Sequence, residues 1–331
     1  MENRVLGTRK KRIGMVLIGI CAYFSASSFV FGAGQGESSL KWEQNGSGAV
    51  VTGLNGKAIS LIMPEKLGGF PVTRIGNNAF RNKNMSGIVI PESITEIGDG
   101  AFRGNFLNSA NLPAELTRIG IRAFTGNRLM SIVIPNGVVV IEGFAFKKNN
   151  LSIVELPDTV AIIGTEAFSG NQLTGTLRLP ASLRAIGNSA FKDNLLSGTL
   201  DIPQSVTEVG EMAFSGNHLN SINLPNRISV ISAMAFHSNR LTQIEIPSSV
   251  TSIGERAFAF NHITEVVIPE SVKEIKNNAF GDNPITRITI GEGVTLHRSS
   301  FPNGFANFYN HRKMGKIAGT YVYTNSVWTI Q

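Results

Sequence analysis

Cysteine is almost absent: Cys21 is the single one in 331 residues. It lies in an N-terminal apolar stretch, so a chain trimmed beyond it has no disulfide, no thiolate zinc site and no cysteine nucleophile. Histidine is scarce too, with five residues, His218, His237, His262, His297 and His311. His218 and His262 hold equivalent places two copies apart in the repeat set out below. That separation is about 10 Å, too far to share one metal ion. No His-Glu-x-x-His, Gly-x-Ser-x-Gly or Walker-type loop occurs, which removes the usual zinc-protease, hydrolase and nucleotide-binding signatures. Gly32-Ala33-Gly34-Gln35-Gly36 is glycine-rich but follows no strand. Glu155, Asp201 and Glu245 recur at two-copy intervals, a dispersed surface and not a carboxylate pair. The chain is therefore read as a non-enzyme with no metal or cofactor.

Charge is also sparse, at 16% of residues against 42% apolar. Such a chain buries a core and lacks the composition of a disordered one. The net charge of +7 suggests an anionic partner, but residues 1–33 hold Arg4, Arg9, Lys10, Lys11 and Arg12 against Glu2. Without them the balance falls to +3, so no nucleic-acid partner is expected. The same segment has the layout of an export signal. A basic patch at Arg9 to Arg12 precedes an apolar run from Ile13 to Phe31, and small residues follow at Gly32, Ala33 and Gly34. Residues 1–33 are read as a signal peptide cut between residues 28 and 34, leaving no membrane span. An uncleaved anchor is the alternative, since the run is about long enough to cross a bilayer. In Ile18-Gly19-Ile20-Cys21, bulky Ile20 stands directly before the cysteine where a lipoprotein signal needs a small residue, and apolar sequence continues past Cys21, which argues against lipidation.

Tryptophan and tyrosine are rare, at two and four, whereas phenylalanine numbers 20. The bias has a source. Ala-Phe recurs with Phe80, Phe102, Phe124, Phe146, Phe168, Phe191, Phe214, Phe236, Phe258 and Phe280, spaced by 22 residues except for two steps of 23. A worn copy ends at Ser300-Phe301. Five residues before each Phe stands Ile or Val, as at Ile75, Ile97 and Val209, usually followed by Gly. Three residues after most Phe comes Asn, as at Asn105, Asn171 and Asn283. Then comes Leu-x-x-Φ-x-Φ-Pro, for example Leu129-x-x-Ile132-x-Ile134-Pro135.

Each column has a physical reading. Alternation before Pro predicts a short strand with one buried face, and Pro ends it because it cannot donate to a ladder. One copy cannot bury its own apolar residues, so copies must stack, at about 4.8 Å per coil and about 50 Å in all. The ten Phe then form a continuous spine. Gly after Ile predicts a tight turn with positive φ. Asn predicts a ladder that satisfies turn backbone groups. One or two short strands per coil are expected, with at most one helical turn near Ala-Phe.

The ends differ. Residues 34–64 are read as an N-terminal β cap and partial first coil, with a strand pair turning at Asn55-Gly56. Residues 65–301 are the repeats. Residues 302–331 are read as a C-terminal β-hairpin cap turning at Asn325-Ser326, whose aromatics cover the last coil.

The unit Leu-x-x-Φ-x-Φ-Pro-x-x-Val-x-x-Ile-Gly-x-x-Ala-Phe-x-x-Asn resembles the BspA-like, or treponemal-type, bacterial leucine-rich repeat over about residues 59–301. Gly69-Phe70-Pro71-Val72-Thr73-Arg74-Ile75-Gly76 is similar to that family's first repeat. The resemblance implies a leucine-rich-repeat solenoid of the α/β superhelix class, with short parallel strands and very little helix. It also implies a bacterial cell-surface or secreted protein, some relatives of which bind host matrix or plasma proteins or other bacteria. Glu142, Ser232 and Lys276 depart from its Gly column, and Gly291 from its Pro column. Function is expected to be that of an exported binding module, an adhesin or host-interaction protein, with a periplasmic or envelope scaffold as the alternative. The partner is expected to be a host matrix protein, another bacterial surface protein or a glycan.

Candidate partner-binding residues lie two before each Pro, on the outward strand face: Val89, Asn111, Val133, Glu155, Arg178, Asp201, Asn223, Glu245, Val267 and Thr289. A basic stripe follows the Phe column at Arg81, Arg103, Lys147, Lys192 and His237, read mainly as solubilising. Ile121, Val139, Val140, Phe144 and Ile162 stand where other copies are polar. They are read as extra core or partly buried, with an exposed contact patch as the alternative.

Overall fold

Strand-forming residues recur twice in each copy, and the computed structural model forms two ladders of short parallel strands from them. It describes residues 37–311 and 315–331. The chain divides into residues 1–33 and one unit from Gly34 to Gln331. The signal-peptide reading, the cleavage site and Cys21 lie outside the described residues.

The first ladder carries the Ile column. It runs from Phe70–Ile75 through Glu96–Ile97 and Arg118–Ile119, then Val140–Ile141 through Glu208–Val209, then Val230–Ile231 through Thr295–Leu296. Equivalent residues pair in register, as Val140 with Ile162 and Ile141 with Ile163. The second ladder carries the Leu-x-x-Φ-x-Φ segment and includes Gly87–Val89, Ser131–Val133, Ile153–Glu155, Leu195–Asp201, His218–Asn223, Glu265–Val267 and Arg287–Ile290. Copies around Asn111 and Glu245 keep the extended path without ladder pairing. The first corner between ladders is a turn in which the N–H of a buried aliphatic bonds the Pro carbonyl, as Val138 to Pro135 and Val206 to Pro203. The two 23-residue copies are explained by Gly175 (φ 67°) and Gly198 (φ 76°). Each accepts one extra residue in the second ladder, and the pairing slips at Gly198 as in a β-bulge.

The interior is a column of rings. Phe80 to Phe301 stack in eleven layers, with centroids 4.8–5.9 Å apart and planes within 19°. Each ring from Phe80 to Phe280 is at most 1% exposed. The Ala before each Phe is buried too. Where Ser300 takes its place, the hydroxyl donates to the Ile275 carbonyl. The Asn column closes the coil. Asn171 Nδ2 donates to Phe146 O and Phe168 O, and its Oδ1 accepts from Leu151 N–H. Each such Asn ties its own coil to the one before, which explains a buried amide in an apolar interior.

Two expectations are corrected. Gly after Ile is not in the left-handed region at Gly98, Gly120, Gly164 or Gly187. It is small because the coil beneath is close: a Cβ on Gly187 would stand 2.7 Å from the Gly164 carbonyl carbon and Thr165 N. Positive φ instead falls two residues before and two after Phe, at Glu166 (φ 53°) and Gly170 (φ 66°) around Phe168. The N-terminal pair Leu40–Asn45 and Gly48–Leu54 turns at Gly46-Ser47, not at Asn55-Gly56. Gly46 supplies the φ of 60° there. Asn55 instead ties the strand end back, through its N–H to Ser39 O and its Nδ2 to Ser38 O.

At the other end the last ring, Phe301, meets Phe305 edge-on at 5.4 Å and 85°. Phe305–Tyr309 is a short helix, an element absent from the hairpin reading of this end. Gly319–Thr324 and Val327–Ile330 then form an antiparallel hairpin that pairs with Arg287–Ile290. Tyr309, Tyr321 and Trp328 are buried against the coil end. Burial pushes the Tyr309 hydroxyl up to about 12 from 10.0, while it donates to Gly291 O at 2.6 Å. A raised folded pKa means this contribution is complete below pH 10 and is lost as pH rises from there through about 12. Chemical denaturation from pH 8 upward is expected to show stability falling with alkali. Tyr309→Phe is expected to flatten that fall and to cost about 1 kcal/mol at pH 8.

Candidate binding surface

Alternation along the second ladder turns the residues two before each Pro outward. Val89, Asn111, Val133, Glu155, Arg178, Asp201, Asn223, Glu245 and Val267 are all exposed. Thr289 is half-buried, because the C-terminal hairpin lies over it and its hydroxyl meets that of Thr320 at 2.9 Å. The face thus stops at the coil before the cap, and Thr289 is not part of the open surface. At the other end it extends one coil further than the repeat pattern suggested, to Ile62, which pairs with Val89.

Chemistry changes along this face. Its N-terminal half is apolar but for Asn111: Ile62, Val89, Val133 and Ile153 are 45–58% exposed. Strand pairing sets Ile153 beside Ser131 and Glu155 beside Val133, so the apolar side chains share neighbouring strands. The C-terminal half is polar apart from Val267, 62% exposed. Arg178 forks onto both Asp158 oxygens at 2.9 and 3.1 Å, Asn223 donates to Asp201, and Glu265 faces Arg287 at 3.8 Å. The two bulges lie in this half, beside the exposed Thr176 and Thr199. Ile153 escapes a search of the pre-Pro column alone. The signal for Ile153 is that it stands two residues before Glu155, hence on the same side of the strand.

Of the odd apolar residues Ile121, Val139, Val140, Phe144 and Ile162, two are partly buried as expected and three are corrected outward. Ile121, Val139 and Ile162 are 38%, 50% and 42% exposed, and Val140 and Phe144 are half-buried. None is core, because Ile119, Ile141 and Ile163 already fill the inward positions and alternation sends Val140 and Ile162 out. Phe144 is covered by a cation instead, the Arg122 guanidinium 4.3 Å from its centroid.

The basic stripe does not act as a unit. Lys147 is paired with Glu166 and Lys192 lies 3.8 Å from Asp193. Burial, then Arg256, lowers the His237 pKa and holds it neutral, with Ser238 Oγ 2.9 Å from its Nδ1. Arg81 and Arg103 make no ion pair among the described residues. Among these residues no group of three His, Cys, Asp or Glu could hold a metal ion. A cleft of about 350 Å³ between the last coil and the cap helix has Asp282 as its one titratable side chain.

The family profile for the BspA type leucine rich repeat region, in six copies, matches residues 73–197 and 196–305. The chain belongs to this family. Its repeat is therefore the bacterial BspA-type leucine-rich repeat, a fold that serves as a binding scaffold. Several solved structures are similar. A leucine-rich cell surface protein from Faecalibacterium prausnitzii is 23% identical with a TM-score of 0.46, covering 84% of this chain and 92% of its own. A leucine-rich repeat protein from Bacteroides ovatus is 21% identical with a TM-score of 0.46, covering 88% and 99%. The pneumococcal vaccine antigen PcpA is 18% identical with a TM-score of 0.49, covering 80% and 89%. The family assignment rests on the repeat and not on these likenesses. No curated protein matches the chain. Among the described residues, no helix is long and apolar enough to cross a membrane.

Proposed function

We propose that this BspA-type repeat protein is exported and binds a protein partner through its second-ladder face, as an adhesin or host-interaction protein at the cell surface or in secreted form. The observation that carries this reading is the row Ile62, Val89, Val133 and Ile153, half-exposed on a sheet whose other face is locked into the core. Leaving such side chains in water is unfavourable by about 25 cal/mol per Å², and a rigid apolar patch rimmed by polar side chains fits a protein surface. The acid- and amide-rich half beyond Glu155 then sets register and selects the partner. Catalysis has no support in the arrangement of titratable side chains, and no metal or cofactor is proposed.

Binding of the purified protein to immobilised matrix and plasma proteins tests the reading. Saturable binding is expected, weakened about tenfold or more by Val133→Glu with Ile153→Glu, at unchanged thermal stability. Protease shaving of intact cells is expected to remove the protein. Binding indifferent to both substitutions, or full protection from shaving, would contradict the reading.

A further inference from the structure

A second surface lies away from the strand face, on the turns that carry Ala-Phe. We propose that the N-terminal half of this turn edge binds a sulfated polysaccharide. The proposal does not depend on the strand-face reading.

Five cations gather there without ion-pair partners among the described residues. Arg81 and Arg103 follow Phe80 and Phe102. Arg122 and Arg128 flank Phe124, and Lys148 follows the next ring by two. Four are exposed and Arg103 is half-buried. Hydrogen bonds set their segments side by side: Asn82 N–H donates to Arg103 O, Arg122 N–H to Gly143 O, and Gly126 N–H to Lys147 O. The rings beneath rise 5.2–5.5 Å per coil. A chain lying along the edge therefore meets a cation at nearly every coil. Asp99 is engaged by Arg118 at 2.7 Å and Glu166 by Lys147, which leaves half-buried Glu142 as the acid of these turns without an ion pair among the described residues. The C-terminal half of the same edge mixes signs, with Asp193, Glu211, Glu255 and Asp282 among Lys192, Arg240 and Arg256. The positive field is thus confined to four coils.

Two guanidinium groups are held in place. Arg122 lies over Phe144 at 4.3 Å and Arg128 over Phe106 at 4.5 Å. Stacking on a ring restricts each side chain, which lowers the ordering cost of pairing with an anion. Four of the five cations are Arg, whose weakly hydrated planar fork grips an oxyanion through two hydrogen bonds. The stacked rings also argue against single-stranded nucleic acid, which needs free aromatic faces for its bases. A lipid surface needs an apolar crown among the cations, and Phe106 here is roofed by Arg128.

Heparin, chemically desulfated heparin, hyaluronan, anionic phosphatidylglycerol vesicles and single-stranded DNA are the probes, with protein expressed from the full chain. Heparin is expected to bind, with an affinity that falls as salt rises. The combined variant Arg81→Gln, Arg103→Gln, Arg122→Gln and Arg128→Gln is expected to lose about tenfold or more of that affinity with a shallower salt dependence. Arg240→Gln with Arg298→Gln, which removes charge from the other half, is expected to leave binding within about twofold. Val133→Glu with Ile153→Glu is also expected to leave heparin binding intact, which separates this surface from the strand face. Absence of heparin binding would overturn the proposal. So would equal binding of the desulfated chain or hyaluronan, equal variant-sensitive binding of vesicles or DNA, or equal losses in the two arginine variants.

Discussion

Phe168→Ala is expected to lower the unfolding free energy by about 3–5 kcal/mol. The ring sits between Phe146 at 5.5 Å and Phe191 at 5.4 Å, nearly parallel to both. Removing it takes away buried area and the ring contacts on both sides. The cavity left behind cannot collapse. The Phe168 N–H is bonded to Ala190 O and the Phe146 N–H to Ala167 O, so neither coil can slide into the gap without breaking its ladder. Stability in a stacked array is a sum of coil terms and interfaces between neighbours, and this change weakens two interfaces at once. Phe106→Ala serves as the control. That ring is 42% exposed and its partner is the surface Arg128, so a loss of about 1 kcal/mol is expected. Urea denaturation of the two variants beside the parent protein measures both.

Asn171→Asp is expected to cost about 3 kcal/mol or more at neutral pH, although the side chains have the same shape. Asn171 Nδ2 gives its two hydrogens to Phe146 O and Phe168 O, each at 3.0 Å. A carboxylate in that place has no hydrogens to give and sets negative charge against two carbonyl oxygens in a buried site. The pH dependence has a definite sign. Burial and the carbonyls favour the neutral acid, so the folded-state pKa of the new carboxyl lies above its unfolded value. Stability is then regained as pH falls and lost as pH rises through the folded pKa. The protonated acid still leaves one carbonyl unpaired, so recovery is partial. Parent protein and variant compared by denaturation between pH 4 and 8 are expected to converge toward the acid end. A constant difference across that range would contradict this reading of the Asn column.

The coil architecture is legible from residues because its constraints repeat. A Phe every twenty-second residue, an Asn three later and a Pro after alternating aliphatics each answer to one physical demand, and the same demand returns in every coil. The N-terminal turn is less legible. Asn55-Gly56 has the composition of a hairpin turn, but Gly46 with Ser47 places Trp42 opposite Val51 in the pairing, and that tertiary gain decides the register. The Gly column is misread for a related reason. Sequence registers that a small residue is needed, and not whether dihedral freedom or space is scarce. The space is set by the previous coil. Positive φ at Phe144 and Glu166, residues with no special liking for it, follows from the ladder imposing the turn on whatever side chain is present.

The proposed binding surfaces are legible only in part. The pre-Pro column gives the correct side of the strand for nine residues. The closure of the tenth, Thr289, depends on how the C-terminal hairpin docks, which no repeat encodes. The basic stripe shows the limit more sharply. Arg81, Arg103, Lys147, Lys192 and His237 share a column, yet only the first two are without a polar partner among the described residues. The cations that join them, Arg122, Arg128 and Lys148, come from three other columns of the same turn. Periodicity sorts residues by column, whereas a surface is made across columns.

Native-state hydrogen exchange at the phenylalanine amides tests the stacked coil most directly. Each N–H from Phe80 to Phe258 donates to the Ala carbonyl one coil on, and Phe280 donates to Ser300 O. All ten are predicted to exchange slowly, most slowly near Phe168 and Phe191 in the middle of the array. Amides that exchange at the rate of an open peptide, in several coils at once, would contradict the solenoid and every surface described on it.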